Sequence, residues 1–417
     1  MKELTFALLL RREVKYSVYA LTAALEKKGI KVRWVRDPLE VLELKGNVAL
    51  GISLLTTHLL DDELTMKIRL LKGKVTLIAG GPHATGDPYG TLKLGFDYVV
   101  KGEAEESLAE LLEALQEGNP EEVKGIYLSD GSYTGPRKLI ELDDYPPWPY
   151  WRGTFGPIEV TRGCPFACKY CQTSFIFKAI VRHRSVENVR EYSKKLRELG
   201  GKDLRFISPN SLSYGGDGRR LELDKVEELL SAVKSTGVRV FFGSFPSEVR
   251  PEFVNEEALK VMRKYVSNKR IVIGAQSASD EVLKRLNRGH TWEDVVNAVQ
   301  LSVEHGFTPE VDFILGLPGE SEEEMMATLE GMRKLISMGA RAHLHYFMPL
   351  PGTPFAFEKP APLPQRVRKE IAKLVGEGKA WGQWLKQEEI SWKVVELIEK
   401  GTIIVSPWLR QRNLIQT

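Results

Sequence analysis

Cys164, Cys168 and Cys171 are the only cysteines among 417 residues, and all three fall in one short stretch, Val160-Thr161-Arg162-Gly163-Cys164-Pro165-Phe166-Ala167-Cys168-Lys169-Tyr170-Cys171. Thiols this close, and odd in number, suit metal ligation better than disulfide formation. Spaced by three and then two residues, their thiolates can wrap one face of a four-iron, four-sulfur (4Fe-4S) cluster. No fourth cysteine completes the cage, so one iron is left open to an outside ligand. That is the arrangement of a catalytic cluster rather than a pure electron carrier. Zinc is the alternative; it needs a fourth ligand, and His183 is the nearest in sequence.

The elements that must position these thiols alternate along the chain. From the cysteine motif onward, strand-like runs at 158–161, 204–207, 238–243, 271–275, 310–315 and 342–347 are separated by helical patterns at 186–199, 223–235, 256–265, 292–304 and 322–337. Six βα units predict a partial (β/α)6 barrel, with ligands at the carboxyl ends of its strands. Upstream, strand-like runs at 4–10, 31–35, 48–52, 75–79 and 98–100 alternate with helical patterns at 16–27, 61–71 and 105–116, predicting an N-terminal doubly wound, Rossmann-like sheet in an α/β protein. Loops rich in small residues follow three of these strands: Gly51-Ile52-Ser53-Leu54-Leu55-Thr56, Gly80-Gly81-Pro82-His83-Ala84-Thr85 and Lys101-Gly102-Glu103-Ala104-Glu105. They read as tight turns or as a ligand platform on one sheet edge. The expected organisation is a sheet domain over 1–124, a linker over 125–150, the partial barrel over 151–354 and a helical C-terminal region over 355–417.

Composition narrows the class. Hydrophobic residues at 42% and charged residues at 28% exclude a disordered chain, a collagen-like chain and a small disulfide scaffold. A net charge of +3 is too balanced to announce a nucleic-acid binder. No apolar run is long enough to span a membrane, and Met1-Lys2-Glu3-Leu4 opens into a strand without a signal-peptide pattern, so a cytoplasmic location is expected.

The Cys-x3-Cys-x-aromatic-Cys motif after the first strand of a six-fold βα series resembles the radical S-adenosylmethionine superfamily, over roughly 157–354. The resemblance implies that the amino and carboxylate groups of S-adenosylmethionine chelate the open iron, and that an external electron donor drives its cleavage to a 5′-deoxyadenosyl radical. It places Tyr170 of the motif, Ser208 and Asn210 after the second strand, Ser244, Glu248 and Arg250 after the third, Gln276 at the fourth, Leu315 at the fifth and Phe347 at the sixth near S-adenosylmethionine. Glu248 and Arg250 also read as a surface ion pair. No catalytic residue is assigned.

A doubly wound domain directly ahead of such a barrel resembles the cobalamin-binding subfamily. By that resemblance Ser53, Leu54, Thr56, Gly80, Gly81, Pro82, His83, Gly102 and Glu103 border cobalamin. The Asp-x-His-x-x-Gly loop that supplies an axial imidazole in many cobalamin proteins has no counterpart: the position reads Leu10-Arg11-Arg12-Glu13-Val14-Lys15-Tyr16-Ser17. The implied function is a cobalamin-dependent radical S-adenosylmethionine methyltransferase acting on an unactivated centre. The alternatives are a radical enzyme whose N-terminal domain does not bind cobalamin, such as a tRNA-nucleoside modification enzyme, and a non-catalytic iron–sulfur module. The acceptor is a tRNA, lipid, peptide or small metabolite. In the tail, Trp381, Trp384, Leu385 and Glu388 with Lys379, Lys386, Lys393, Arg410 and Arg412 read as a core stripe with a solvated face, or as a base-stacking surface.

Overall fold

The computed structural model describes residues 4–405; Trp408, Arg410 and Arg412 of the expected tail lie outside them. The N-terminal sheet is formed by β1 (Leu4–Leu9), β2 (Val32–Val35), β3 (Asn47–Ser53), β4 (Thr76–Gly80), β5 (Tyr98–Val100) and β6 (Ile126–Tyr127), in the order β2-β1-β3-β4-β5-β6. All neighbours are parallel except β5 and β6. The strands are nearly continuous apolar runs because helices cover both faces, as parallel sheets require. The order reverses between β1 and β3, which opens a crevice beyond their carboxyl ends.

The hairpin β8 (Thr161–Arg162) and β9 (Arg182–His183) brackets the cysteine loop, just after β7 (Ile158–Glu159). The barrel continues with β10 (Asp203–Ile207), β11 (Arg239–Phe241), β12 (Arg270–Gln276), β13 (Thr308–Leu315) and β14 (Arg341–Tyr346). It is built as two parallel sheets, β11-β10-β7 and β12-β13-β14-β15, where β15 is Ala380–Trp381. The seam between β11 and β12 is not empty: the Val249 amide donates to Val272, and the Gly274 amide donates back to Val249. Phe206, Phe242, Ile273, Val311, Phe313 and Leu344 fill the interior under 1% exposed, each contributing about 1.5–3 kcal/mol by burial.

Helix starts follow local chemistry. Ser321 accepts from the Glu324 amide while Glu324 reaches back, a capping box that fixes the start of Glu322–Ser337. Asn255 caps Glu256–Tyr265 in the same sense, with acids in its first turn and bases in its last.

Two expected boundaries differ. The connecting stretch begins with a short hairpin around Ser129-Asp130-Gly131-Ser132, as its sequence suggests, bridged at Tyr127 and Tyr133; its first arm, β6, joins the sheet by pairing antiparallel with Val99 and Val100. The tail is not wholly helical: β15 lies between the helices Gln365–Gly376 and Trp384–Glu399 and pairs with Ala342 and His343. The second helix then reaches back to the first domain, packing Val394 with Leu59 and bringing Ile403 and Val405 onto it. The Asp87 carboxylate, wholly buried, accepts from the Ile404 amide. Among the described residues no helix is long and apolar enough to cross a membrane.

Candidate active site

The cysteine loop is shaped by backbone before any thiol is considered. Gly163 adopts φ +90°, and a Cβ there would lie 1.9 Å from the Ile180 carbonyl, so only glycine fits. Ala167 is left-handed, held by its amide donating to Ser174 Oγ at 3.1 Å. The Lys169 amide donates to the Leu286 carbonyl, and Asn287 Nδ2 to the Phe166 carbonyl, which tie the loop to the segment after β12.

All three cysteines open into one cavity of about 540 Å³ at the carboxyl ends of the barrel strands. Burial, reinforced by the neighbouring thiols, raises the Cys164 and Cys171 thiols. A bound iron ion inverts that preference, because a coordinating thiol is deprotonated. Three sulfurs on a cavity wall therefore fit an open-faced iron–sulfur cluster. The zinc alternative fails on geometry: His183 accepts or donates at Thr161 Oγ1 (3.0 Å) and at the Gly216 carbonyl (2.7 Å), leaving neither ring nitrogen for the cysteines.

Arg288 is given no role by the sequence analysis, and it is central. Its Nη1 donates to Tyr170 OH at 3.1 Å and to Cys168 Sγ at 3.7 Å; its Nη2 donates to the Gly274 carbonyl at 2.5 Å. A guanidinium beside Cys168 and Tyr170 would offset the negative charge of a cluster held by these thiolates. Arg250 stands behind it, its guanidinium 3.4 Å from the centre of the Phe166 ring and bonded to the Arg288 carbonyl. Gly274 leaves the space into which Glu248, Gln276 and Arg288 converge; a Cβ there would approach all three within 3.2 Å. Gln276 sits at a register shift of β12 with φ +74°, a bulge that re-aims its side chain.

Of the residues expected near S-adenosylmethionine, Tyr170, Ser208, Glu248, Arg250, Gln276 and Phe347 line this cavity with the cysteines. Ser208 spends its hydroxyl on the Asn210 carbonyl at 2.9 Å. Asn210, Ser244 and Leu315 lie behind the wall. Asn210 accepts from the Arg250 amide through Oδ1, while its Nδ2 and Ser244 Oγ are buried without a partner among the described residues. Asp312, His343 and His345, given no site role by the sequence analysis, line the same cavity, together with Trp381, which was expected in a core stripe or a base-stacking surface of the tail. The signal was available: His343 and His345 alternate along one strand and share a face.

Enclosure of the Glu248 carboxyl pushes its pKa up to about 7 against the pull of Arg288. The folded state thus binds this proton more tightly than the unfolded one, and the stability linked to it is present below pH 4.5 and lost as pH rises towards about 7. Urea-unfolding midpoints of the wild type and Glu248→Gln are expected to diverge across that window, the wild type losing stability relative to the variant. Parallel profiles would contradict this.

A second cavity of about 360 Å³ lies between the N-terminal sheet and the barrel. Ser53, Gly81, Pro82 and Gly102 line it beyond the ends of β3, β4 and β5, facing Tyr145 and Trp148. Gly81 is at φ +89°, and a Cβ would meet the Leu54 backbone at 2.9 Å. This edge of small residues, with Gly81 and Gly102 lacking side chains, faces an apolar wall and fits the approach of a broad, flat ligand. Helix Thr173–Ile176 separates the two cavities: Thr173 and Ser174 face the first, Ile176 the second.

The remaining residues expected at cobalamin are placed differently. Leu54, Thr56, Gly80 and His83 do not line the cavity. His83 is fully buried, bonded to Thr56 Oγ1 at 3.2 Å, and burial lowers its pKa to about 3. It is a neutral core imidazole. Glu103 does line the cavity, but its carboxylate is taken by Arg162 and Arg182 and by the Ile140 amide. Arg162 in turn binds Glu105 at 2.8 Å and Glu159 at 2.6 Å, so this buried network clamps the sheet domain to the strand that leads into the cysteine loop. Gln172, next to Cys171, adds a second clamp by donating to the carbonyls of Pro82 and Pro351.

Comparison with known proteins agrees with this two-part architecture. Residues 158–331 match the radical SAM superfamily, and residues 14–112 match the B12 binding domain. An uncharacterized methyltransferase of Pyrococcus horikoshii is 30% identical over 306 residues, covering 68% of this chain and 64% of that protein. The threonylcarbamoyladenosine tRNA methylthiotransferase MtaB of Thermotoga maritima is 31% identical over 221 residues, 51% of this chain and 48% of the relative. This chain thus spans less than two thirds of the length of either. The fold is similar to that of the radical S-adenosylmethionine methyltransferase TsrM from Kitasatospora setae, solved with cobalamin and a [4Fe-4S] cluster: TM-score 0.66, 19% identity, 86% of this chain and 77% of that one.

Proposed function

Since the chain belongs to the radical SAM superfamily and carries a B12-binding domain ahead of its barrel, we propose that it is a cobalamin-dependent radical S-adenosylmethionine methyltransferase. The observation that carries the reading is the pair of cavities on either side of Thr173–Ile176, one walled by the three cysteines and the other by the small-residue edge of the sheet. Cys164, Cys168 and Cys171 would hold the cluster, Glu248, Arg250, Gln276 and Phe347 the S-adenosylmethionine, and Ser53, Gly81, Pro82 and Gly102 the edge of cobalamin. When bound, these groups supply a carbon-centred radical for hydrogen abstraction and a carrier for the methyl group.

The chain's own residues supply orientation and a dry site. Arg288 fixes Tyr170 and faces Cys168, so positive charge sits where the cluster's negative charge must be held. Glu248, with a pKa of about 7, can accept or share a proton from an ammonium group at neutral pH. Tyr346 and Phe347 close one side of the cavity against water, with Tyr346 OH anchored on the Ala361 carbonyl at 3.2 Å. An external donor supplies electrons, and a reducing, cytoplasmic setting suits three thiols reserved for iron. The match to a tRNA methylthiotransferase supports a tRNA nucleoside as one acceptor class, beside lipids, peptides and small metabolites. The three cysteines are committed to one loop, which leaves none in these residues for the second cluster of a sulfur-inserting enzyme.

Anaerobic reconstitution with iron, sulfide and hydroxocobalamin tests the reading. About four irons and about one cobalt per chain are expected after desalting, by the ligand count above. Four irons without cobalt would leave radical chemistry standing and remove the methyl-carrier role of the N-terminal domain.

A further inference from the structure

The cavity has a second cluster of ligating side chains, remote in sequence from the cysteines. Asp312 of β13 lies opposite His343 of β14 in the parallel register, and His345 follows two residues later on the same face. Asp312 Oδ1 is 2.8 Å from His343 Nδ1 and 3.8 Å from His345 Nε2, and one ligand atom from each residue can be chosen so that all lie within 4.8 Å. A tetrahedral ion with bonds of 2.0–2.1 Å has ligand–ligand edges of about 3.4 Å. The two carboxylate–imidazole distances straddle that value, so small rotamer shifts close the polyhedron. All three residues line the same cavity as the cysteines.

We propose that Asp312, His343 and His345 form a divalent transition-metal site, of the zinc or ferrous class, whose open position faces the cavity. Two imidazoles and one carboxylate are the donor set that such borderline ions take, and three protein ligands leave a place for an outside oxygen. One carboxylate against a dication leaves a net positive site, which selects an acceptor with an anionic or carbonyl oxygen. Trp381 supplies the supporting layer: its ring lies 3.8 Å from His343, at 11° to it, and fixes the imidazole plane. This gives β15 a purpose, because Trp381 belongs to the extra strand that the tail adds to the barrel. The ion's role in holding an acceptor rests on the methyl-transfer reading; its presence does not.

The test is metal content, read independently of turnover. Full-length protein with its cluster already loaded, so that the cysteines are occupied, is dialysed anaerobically against Zn²⁺, and zinc and iron are counted per chain. About one zinc is expected, with iron unchanged. His343→Ala and His345→Ala should each weaken zinc binding by at least ~100-fold, and Trp381→Ala by about 10–100-fold, all at wild-type iron content. Asp312→Asn provides a fourth reading if a histidine variant fails to hold iron. Absence of zinc from the wild-type protein, or zinc undiminished in the histidine and Asp312 variants, would overturn the site and reduce the cluster to a hydrogen-bonded group.

Discussion

Cys168→Ala is expected to abolish S-adenosylmethionine cleavage, a loss of at least roughly 10³-fold or more than about 4 kcal/mol of barrier. Cys168 is the most enclosed of the three thiols, at 4% exposure, and the one that Arg288 addresses. Removing it would take away a proposed cluster ligand and one partner of the buried Arg288 guanidinium, which keeps Tyr170 and the Gly274 carbonyl. No other described residue supplies a thiolate to replace it. Iron per chain should fall with the activity while far-ultraviolet circular dichroism is retained. Reductive cleavage at the wild-type rate in this variant would sink the assignment of the loop as the cluster site.

Arg162→Met is the second large effect, and it acts on stability. Arg162 is 9% exposed and binds Glu103, Glu105 and Glu159 together. Methionine preserves the stem but leaves the enclosed Glu103 with Arg182 alone and the enclosed Glu105 without its guanidinium, while the partly exposed Glu159 keeps only the field of Arg184. Breaking a buried ion pair from one side costs about 3–5 kcal/mol, because the surviving charges are left uncompensated. Burial alone would raise Glu103, yet its bonds to the two arginines hold it below the ordinary value of 4.5. A depressed carboxylate contributes stability that is present above pH 4.5 and lost as pH falls through its folded value. The gap between wild type and variant in urea unfolding should therefore be full at neutral pH and shrink in acid. A variant with an unchanged midpoint at pH 7 would show that the network is not a clamp.

Much of this was legible in the sequence. Alternation of apolar runs with amphipathic helices placed β10, β12, β13 and β14 to within two residues, because buried parallel strands have no polar face to confuse the pattern. The cysteine spacing named the cluster. What could not be read was pairing across distance. Glu103 looked like a ligand-edge residue in a small-residue loop; only the fold brings Arg162 and Arg182 onto it. His83 looked accessible for the same reason, and burial under Thr56 decided otherwise. Arg288 carried no motif of its own, and its role appears only when the turn after β12 lies against the cysteine loop. The triad of Asp312, His343 and His345 needed the register of β13 on β14. A two-residue strand such as β15 has too little period to detect, so the tail's contribution to the barrel was invisible.

The contact between Asp87 and Ile404 spans 317 positions of the chain. The sheet domain leaves the ribosome first, but the last hydrogen-bond donor to its buried carboxylate is synthesised on the order of 15–60 s later, at translation rates of 5–20 residues per second. Until that donor is in place, the enclosure that pushes the Asp87 carboxyl up to about 6 is incomplete. The first domain therefore reaches its final packing around Leu59 only with the segment that follows the barrel.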